Sequence, residues 1–406
     1  MITHPTPLTV PPVGHRAGRW TVPDDGLASR SARARGTGPY EATLPAPLAG
    51  AEPYSPSLPG DLAADVADAE KALTTFDAHA IARLGADNPA LGPMSAILLR
   101  TESASSSQIE DLTVGARQLA LAEIDESRSG NAATVIANVR TMEAALRLAD
   151  SLDLETVLAL HAELLTGARD AGRLRDQLVW VGRSGLSPLG AVHIAPEAED
   201  VPAAMADLVS FLDREDLPVL LHAAIAHAQF ETIHPFTDGN GRTGRALVHA
   251  MLRGKGLLTT TAPVSAGLLA QLSAYTEALS AYRAGDARPI VEQFARAARY
   301  AAATGTRLVD ALSAQLEEDR GRLTGVRPHA LAWKVLPLLI GQPILSAAHL
   351  RSTLDVPAMS AQRALAQLTE LGVLQEATGR SRNRVWQHPG ILALLDDYAA
   401  EVRRAG

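Results

Sequence analysis

His234-Pro235-Phe236-Thr237-Asp238-Gly239-Asn240-Gly241-Arg242-Thr243-Gly244-Arg245 is the stretch on which the reading of this chain turns. It gathers a titratable base, a carboxylate, backbone-permissive glycines and two arginines into one short turn. The run Ala246-Leu247-Val248-His249-Ala250-Met251-Leu252 follows at once and reads as a helix. Upstream, Leu221 to Ile233 is apolar on nearly every side and reads as a buried helix that delivers His234 to the turn. His222 and His227 lie on that apolar helix and are expected in the core or an interface rather than as ligands. Abundant Ala and Leu with 4% aromatics fit a mostly helical chain.

Each residue type in the turn has a job that a neighbour could not do. A glycine turn that opens a helix is an anion site, because unpaired N–H groups and the helix dipole face the ligand. Gly239 and Gly241 can take φ > 0, and Asn240 tolerates left-handed geometry, so the three suit a nest of inward amides. Arg242 and Arg245 are three apart, on roughly one face, and can fork onto phosphate oxygens. Asp238 offers a hard oxygen for Mg²⁺, which takes one or two carboxylates plus substrate phosphates. His234 can accept a proton from an attacking hydroxyl. Phe236 is expected to anchor the turn in the core. The residues alone predict a phosphate-binding, metal-assisted transferase site.

The stretch resembles the Fic family signature, HPFx[DE]GNGRxxR, at every defined position. That resemblance implies a Fic-type helical bundle which mostly transfers AMP from ATP to a protein hydroxyl. It makes His234 the catalytic base and Asp238 the Mg²⁺ ligand. Gly239, Asn240 and Gly241 would bind the α- and β-phosphates, and Arg242 and Arg245 the β- and γ-phosphates. Thr243 and Gly244 fall inside the same ATP-binding run.

Val179-Trp180-Val181 and Ala191-Val192-His193-Ile194 flank a Gly/Ser/Pro-rich segment, Gly182 to Gly190, and read as a small β-hairpin. In the family such a flap covers the nucleotide and pins the target by strand addition, which places Val192 and His193 at the ATP. Leu268 to Asp286 resembles the segment that closes on adenine and ribose. Tyr275 matches a family tyrosine there, with plain core packing as the competing reading. Arg283 stands where relatives often carry Asn, and Gln271 also departs from a frequent Asn.

Further upstream, Leu98 to Leu112 contains Ser106 and Glu110 in the places of the family's inhibitory motif, [ST]xxxE[GN], with Asp111 replacing the usual Gly or Asn. The resemblance implies that Glu110 pairs with Arg245 and takes the space of the γ-phosphate, a charge-assisted brake that also puts Glu110 at the ATP site. The same glutamate could instead position water to remove AMP again.

The chain has 406 residues, a formal net charge of −8 and no cysteine. Its length predicts two to three domains. Disulfides and thiolate metal sites are excluded, which fits a reducing, cytoplasmic setting. No signal peptide is read at the N-terminus and no run approaches the ~20 apolar residues that span a membrane. The expected organisation is an extended Pro/Gly-rich arm over 1–60, partly packed through Trp20 and Tyr54. A helical region with the inhibitory helix follows over 61–125, then a Fic catalytic core over 126–300 and a linker helix over 301–326. Residues 327–406 read as a winged helix. Within that last segment Leu345 to Leu354 and Ser360 to Leu371 read as two short helices, followed by a basic hairpin. It holds nine Lys/Arg and six Asp/Glu, a net +3. Arg363, Arg380, Arg382 and Arg384 are candidates to face phosphates, although the same fold also serves as a protein-interaction or dimer module.

The activity expected is protein adenylyl transfer from ATP, with Mg²⁺, to a Ser, Thr or Tyr hydroxyl of another protein or of this chain, releasing pyrophosphate. The alternatives are a DNA-binding regulator with a nucleotide-sensing core, an enzyme that removes AMP, or one that uses another donor such as a different nucleotide or a phosphocholine carrier. A homodimer and a DNA contact remain open as partners; a membrane is not expected.

Overall fold

A computed structural model describes residues 6–24, 28–84, 91–127, 129–182, 184–377 and 384–405. In chain order the elements are β1 (Gly14–Trp20), α1 (Arg30–Gly36), β2 (Gly38–Leu44), α2 (Gly60–Leu84), α3 (Leu91–Gln108), α4 (Ala116–Glu123), α5 (Gly130–Arg147) and α6 (Leu154–Leu164). Then come β3 (Trp180–Val181), β4 (His193–Ile194), α7 (Val201–Leu212), α8 (Val219–Ile233), α9 (Asn240–Gly254), α10 (Val264–Leu269), α11 (Leu272–Arg283) and α12 (Arg288–Arg322). The C-terminal part holds α13 (Leu331–Gly341), β5 (Ile344–Ser346), α14 (Ala347–Leu354), α15 (Ala358–Glu370), β6 (Gln375–Glu376), β7 (Val385–Gln387) and α16 (Pro389–Ala405). The fold is mostly α, as its composition predicts. Among the described residues no helix is long and apolar enough to cross a membrane.

Two compact units emerge, each assembled from three separated segments. The first is Met1–Asp68, Ala144–Gly256 and Ser273–Ala295; the second is Ala69–Glu143, Leu257–Leu272 and Arg296–Gly406. The units therefore interleave along the chain. The expected linker helix over 301–326 is the later part of α12, which starts at Arg288 and runs unbroken for 35 residues.

In the first unit α8 is the axis. Every residue from Leu220 to Ile233 is buried, as expected for a helix apolar on all sides. α7 and α9 pack on it. His222 and His227 are core residues: the His222 Nε2 donates to the Phe211 carbonyl at 2.8 Å, and the His227 Nε2 lies 2.6 Å from the Tyr275 hydroxyl. The extended arm expected over 1–60 gives way to a two-stranded antiparallel sheet. β1 and β2 pair from Gly14↔Leu44 to Trp20↔Gly38. The arm's Pro and Gly content hides two seven-residue strands, because their less exposed positions, among them Arg16, Gly18 and Trp20 in β1 and Gly38, Tyr40, Ala42 and Thr43 in β2, show little apolar alternation to read.

In the second unit α3 carries an unusually polar buried face. Glu102, Ser103, Ser106 and Ser107 are all buried. Asn138 of α5 donates to the Ser103 carbonyl at 2.9 Å and to the Ser107 hydroxyl at 3.2 Å, while the Ser265 amide donates to Glu102 at 2.8 Å. Ser106 is thus in the last turn of α3, and Glu110 follows it in a turn. Asp111 has φ 61°, the left-handed geometry that glycine and asparagine adopt most readily and that Asp also tolerates.

The C-terminal segment of this unit runs helix–strand–helix–helix–hairpin. β5, β7 and β6 form a three-stranded antiparallel sheet in that order. The first short helix was expected to begin at Leu345. Leu345 instead pairs with Trp386 in the sheet, and α14 starts after Ser346, whose side chain caps it by accepting from the His349 amide. Arg363 is exposed on α15. Arg384 is paired with Glu376 and stacks over Trp386 at 4.9 Å, so it is already engaged. Arg380 and Arg382 lie outside the described residues.

Candidate functional site

The turn that carries His234 is shaped first by a helix that must stop. His234 precedes a proline, which disfavours helical geometry at His234 and cannot donate to continue α8. The chain closes there with His234 in left-handed geometry, φ 50° and ψ 62°, its amide donating to the Phe230 carbonyl at 2.8 Å. Such geometry is costly for a residue with a Cβ and persists only where the surroundings hold it. The His234 side chain is 17% exposed, and its Nδ1 faces Glu231, 3.4 Å from the carbonyl oxygen and 3.6 Å from Oε2.

Below the turn Phe236 is fully buried, as expected of an anchor. It stacks on His161 of α6, with ring centroids 3.7 Å apart and planes 4° from parallel. The turn then reverses through Gly239, φ 75°, where a Cβ would come within 2.7 Å of Leu164 Cδ2. Gly241 does not share this role, because α9 begins at Asn240 and takes Gly241 into its first turn. Asn240 closes the loop on itself. Its Oδ1 accepts from the Phe236 amide and its Nδ2 donates to the Phe236 carbonyl, each at 2.9 Å. Its side chain is thereby committed to holding the loop.

Arg242, Thr243 and Arg245 are buried in the first turns of α9, and Asp238 is exposed at its mouth. The Asp238 carboxylate accepts from the Gly239 amide at 2.6 Å and lies 3.6 Å from Arg242 Nη2. Gly244 lets α9 approach α8 closely: a Cβ there would meet Phe230 Cδ1 at 2.9 Å and His227 Nδ1 at 3.2 Å.

Two positioning residues carry little signal in the sequence. Arg175 is buried in the segment before the flap. It donates from Nε to the His234 carbonyl at 2.8 Å, from Nη1 to the Gln177 carbonyl at 2.8 Å and from Nη2 to the Pro196 carbonyl at 2.7 Å. Burial lowers its pKa to about 10, which leaves the guanidinium charged at neutral pH. His161 accepts at Nδ1 from the Gly172 amide at 3.1 Å, so its Nε2 carries the proton and donates to the Asp238 carbonyl at 3.1 Å. Burial lowers its pKa and keeps it neutral. The one clue to His161 is a lone imidazole on an apolar helix; Arg175 looks like any arginine in a Gly/Arg-rich loop. Glu231, which faces His234, was likewise not distinguished from its neighbours on α8.

The flap forms as expected. β3 pairs with β4 through Trp180↔Ile194 and Val181↔His193. Val192 is 74% exposed, whereas His193 is buried. The His193 Nε2 lies 2.9 Å from the Thr232 carbonyl and Nδ1 lies 3.4 Å from the Thr43 hydroxyl. Burial, with Arg283 and His234 nearby, lowers its pKa to about 2, so it stays neutral. His193 therefore anchors the flap to the end of α8. Tyr275 is 3% exposed with its hydroxyl turned to His227, which favours the packing reading over contact with the base. Arg283 lines a cavity together with Val192 and His193.

These features define a helical domain in which an imidazole is held beside the N-terminus of a helix that buries two arginines. Comparison with known proteins bears on one segment of the chain. Residues 151–252 match the Fic/DOC family, so the chain carries a Fic domain. A Caenorhabditis elegans protein named protein adenylyltransferase fic-1 is 30% identical over 152 residues, covering 36% of this chain and 27% of that protein. A Nematostella vectensis protein adenylyltransferase Fic is 31% identical over 157 residues, covering 37% of this chain and 33% of its own length. The chain thus spans a third or less of these two relatives. A solved Fic family protein from Desulfovibrio desulfuricans has a TM-score of 0.52 and 26% identity, covering 83% of this chain and 99% of that one.

Proposed function

We propose that this chain is a protein adenylyltransferase that moves AMP from ATP to a protein hydroxyl. The observation that carries the reading is His234, locked in left-handed geometry, beside the N-terminus of α9 with Arg242 and Arg245 buried in its first turns. The Fic domain and the names of the relatives support the same activity.

In this reading the amides of Asn240 and Gly241, with that of Gly239 once it leaves the Asp238 carboxylate, hold the α- and β-phosphates, and the two arginines neutralise the β- and γ-phosphates. His234, with Nδ1 toward Glu231, takes the proton of the acceptor hydroxyl at Nε2. The hydroxyl oxygen bonds to the α-phosphorus, the bond to the β-phosphate oxygen breaks, and pyrophosphate leaves. Such catalysis is mostly positioning and electrostatics. Among the described residues no three His, Cys, Asp or Glu side chains converge as a metal cage. A single exposed carboxylate, Asp238, suits Mg²⁺ that takes its other ligands from phosphates and water. When bound, the metal would offset charge on the leaving pyrophosphate. The acceptor is a protein or this chain itself, and the lack of cysteine agrees with a cytoplasmic location.

His234→Ala tests the reading. Label from α-labelled ATP should no longer reach any protein, while nucleotide affinity stays within about twofold of wild type. Persistent labelling would refute His234 as the base. The inhibitory role of Glu110 rests on its motif with Ser106, and Glu110→Gly should speed labelling by tenfold or more. An unchanged rate would remove the brake from the account. We further read residues 327–406 as a winged helix. The modest net charge and the engagement of Arg384 make DNA contact the weaker use, and salt-sensitive retardation of duplex DNA would restore it.

A further inference from the structure

Within the first unit the amino-terminal hairpin lies against the flap, and together with α11 they border an open cleft of about 350 Å³, with His15 and Glu41 exposed at its rim. One face of the hairpin supplies His15, Glu41 and Thr43. Strand alternation sets Glu41 and Thr43 on the same side of β2, and Thr43 is the register partner of His15. The flap contributes Val192, and α11 contributes Ser280 and Arg283. The Arg283 Nε is buried and has no hydrogen-bond partner among the described residues. The cleft adjoins the catalytic turn. His193 also lines it, and the His193 ring centroid is 6.3 Å from that of His234, edge-on.

The hairpin is tied in place around the flap. The Tyr40 hydroxyl donates to Glu197 at 2.5 Å, and Arg16 pairs with Glu199 at 2.8 Å and Asp200 at 2.7 Å. The Trp20 indole donates to the Leu186 carbonyl at 3.1 Å and sits edge-on to Trp180, centroids 5.1 Å apart. The Ser187 hydroxyl donates to the Gly36 carbonyl at 2.6 Å. The wall that bears Glu41 is therefore a fixed part of the cleft.

A cleft of this size, with apolar flanks and a few convergent polar groups, takes a small planar molecule. Beside a phosphate site that molecule is the base of the nucleotide. The polar groups differ in what they can select. The hydroxyls of Thr43 and Ser280 and the imidazole of His15 either donate or accept. Arg283 only donates, and both purines offer N7 as an acceptor. Glu41 is the one carboxylate among the described residues that line the cleft, and when ionised it only accepts. It is the group able to tell a base that carries an amine from one that lacks it.

We propose that Glu41 accepts a hydrogen bond from the exocyclic amine of adenine and so favours adenine over a purine that lacks this amine. This rests on the nucleotide-transfer reading and extends it to a residue outside the segment 151–252 that matches the family. The test is calorimetric titration of the full chain, with Mg²⁺, by ADP, by GDP and by purine riboside 5′-diphosphate, which lacks the 6-amino group. Wild type should bind ADP about tenfold more tightly than the amine-free analogue, about 1.4 kcal/mol. Glu41→Ala should bring the two within about twofold by weakening ADP alone. Glu41→Gln, whose amide oxygen still accepts, should keep part of the preference. An unchanged ratio in Glu41→Ala, or GDP binding wild type more tightly than ADP, overturns this proposal and leaves the transferase reading standing. Failure of all three diphosphates to bind wild type sinks both.

Discussion

Replacing Arg175 with methionine should separate the positioning of His234 from the binding of nucleotide. The methionine keeps much of the side-chain volume and removes every donor. Three charge-assisted bonds of 2.7 to 2.8 Å are lost, to the carbonyls of His234, Gln177 and Pro196. At about 1.5 kcal/mol net apiece they sum to ~4.5 kcal/mol. Part is returned because the buried guanidinium no longer has to be desolvated, so a loss of roughly 2–4 kcal/mol in folding stability is expected. The His234 carbonyl is one of the three acceptors, so the left-handed residue also loses a restraint that holds its imidazole. A shift of about 1 Å in a reacting group costs on the order of 100-fold in rate. Urea unfolding and label transfer from ATP measure the two effects on one preparation, at a urea concentration where the variant is still folded. The expected pattern is a kcat lower by 10- to 100-fold with ATP affinity changed less than threefold. A variant within 1 kcal/mol of wild-type stability and with full kcat would show that Arg175 does not hold the turn.

Other perturbations follow from the same geometry. Asn240→Ala strips both partners from the buried Phe236 backbone and should cost about 2–4 kcal/mol in urea unfolding; less than 1 kcal/mol would mean the loop closes without it. Gly244→Val forces a Cβ within 2.9 Å of Phe230 Cδ1 and should cost about 2–3 kcal/mol with a lowered melting temperature, whereas unchanged melting would show that α8 and α9 can part there freely. His193, His222 and His227 are buried with pKa values lowered to about 2, 4 and 3. The unfolded chain binds their protons near pH 6.5 and the folded chain does not, so stability is constant above about pH 7 and falls as the solution is acidified below 6.5. At pH 5 each contributes a loss of about 2 kcal/mol, so the urea midpoint should drop well below its value at pH 7.5; equal midpoints would mean that the three imidazoles are not held neutral by burial.

The turn was legible in the sequence because its chemistry is local. A proline after His234, a glycine at the reversal and arginines spaced on one helical face can each be read without knowing what surrounds them. The apolar run of α8 likewise announced its own burial. Long-range partners were not legible. Arg175 and His161 act on carbonyls 59 and 77 residues away, and nothing in their own neighbourhoods marks them. The amino-terminal hairpin was read as an arm because its burial comes from tertiary ties such as Tyr40 to Glu197 and Trp20 to Leu186, not from an alternating apolar pattern. Gly241 was given a left-handed role that only Gly239 fills, because the sequence does not say at which residue α9 begins. Asp111 is the converse case: it stands where the motif has Gly or Asn, and it takes the left-handed geometry that those residues adopt most readily.

The most direct measurement is electron density from crystals of the protein with Mg²⁺ and a non-hydrolysable ATP analogue. The account predicts phosphates within hydrogen-bonding distance of the Gly239, Asn240 and Gly241 amides, with the α-phosphorus within reach of a hydroxyl held at His234. Nucleotide bound with its phosphates away from the N-terminus of α9 would contradict it.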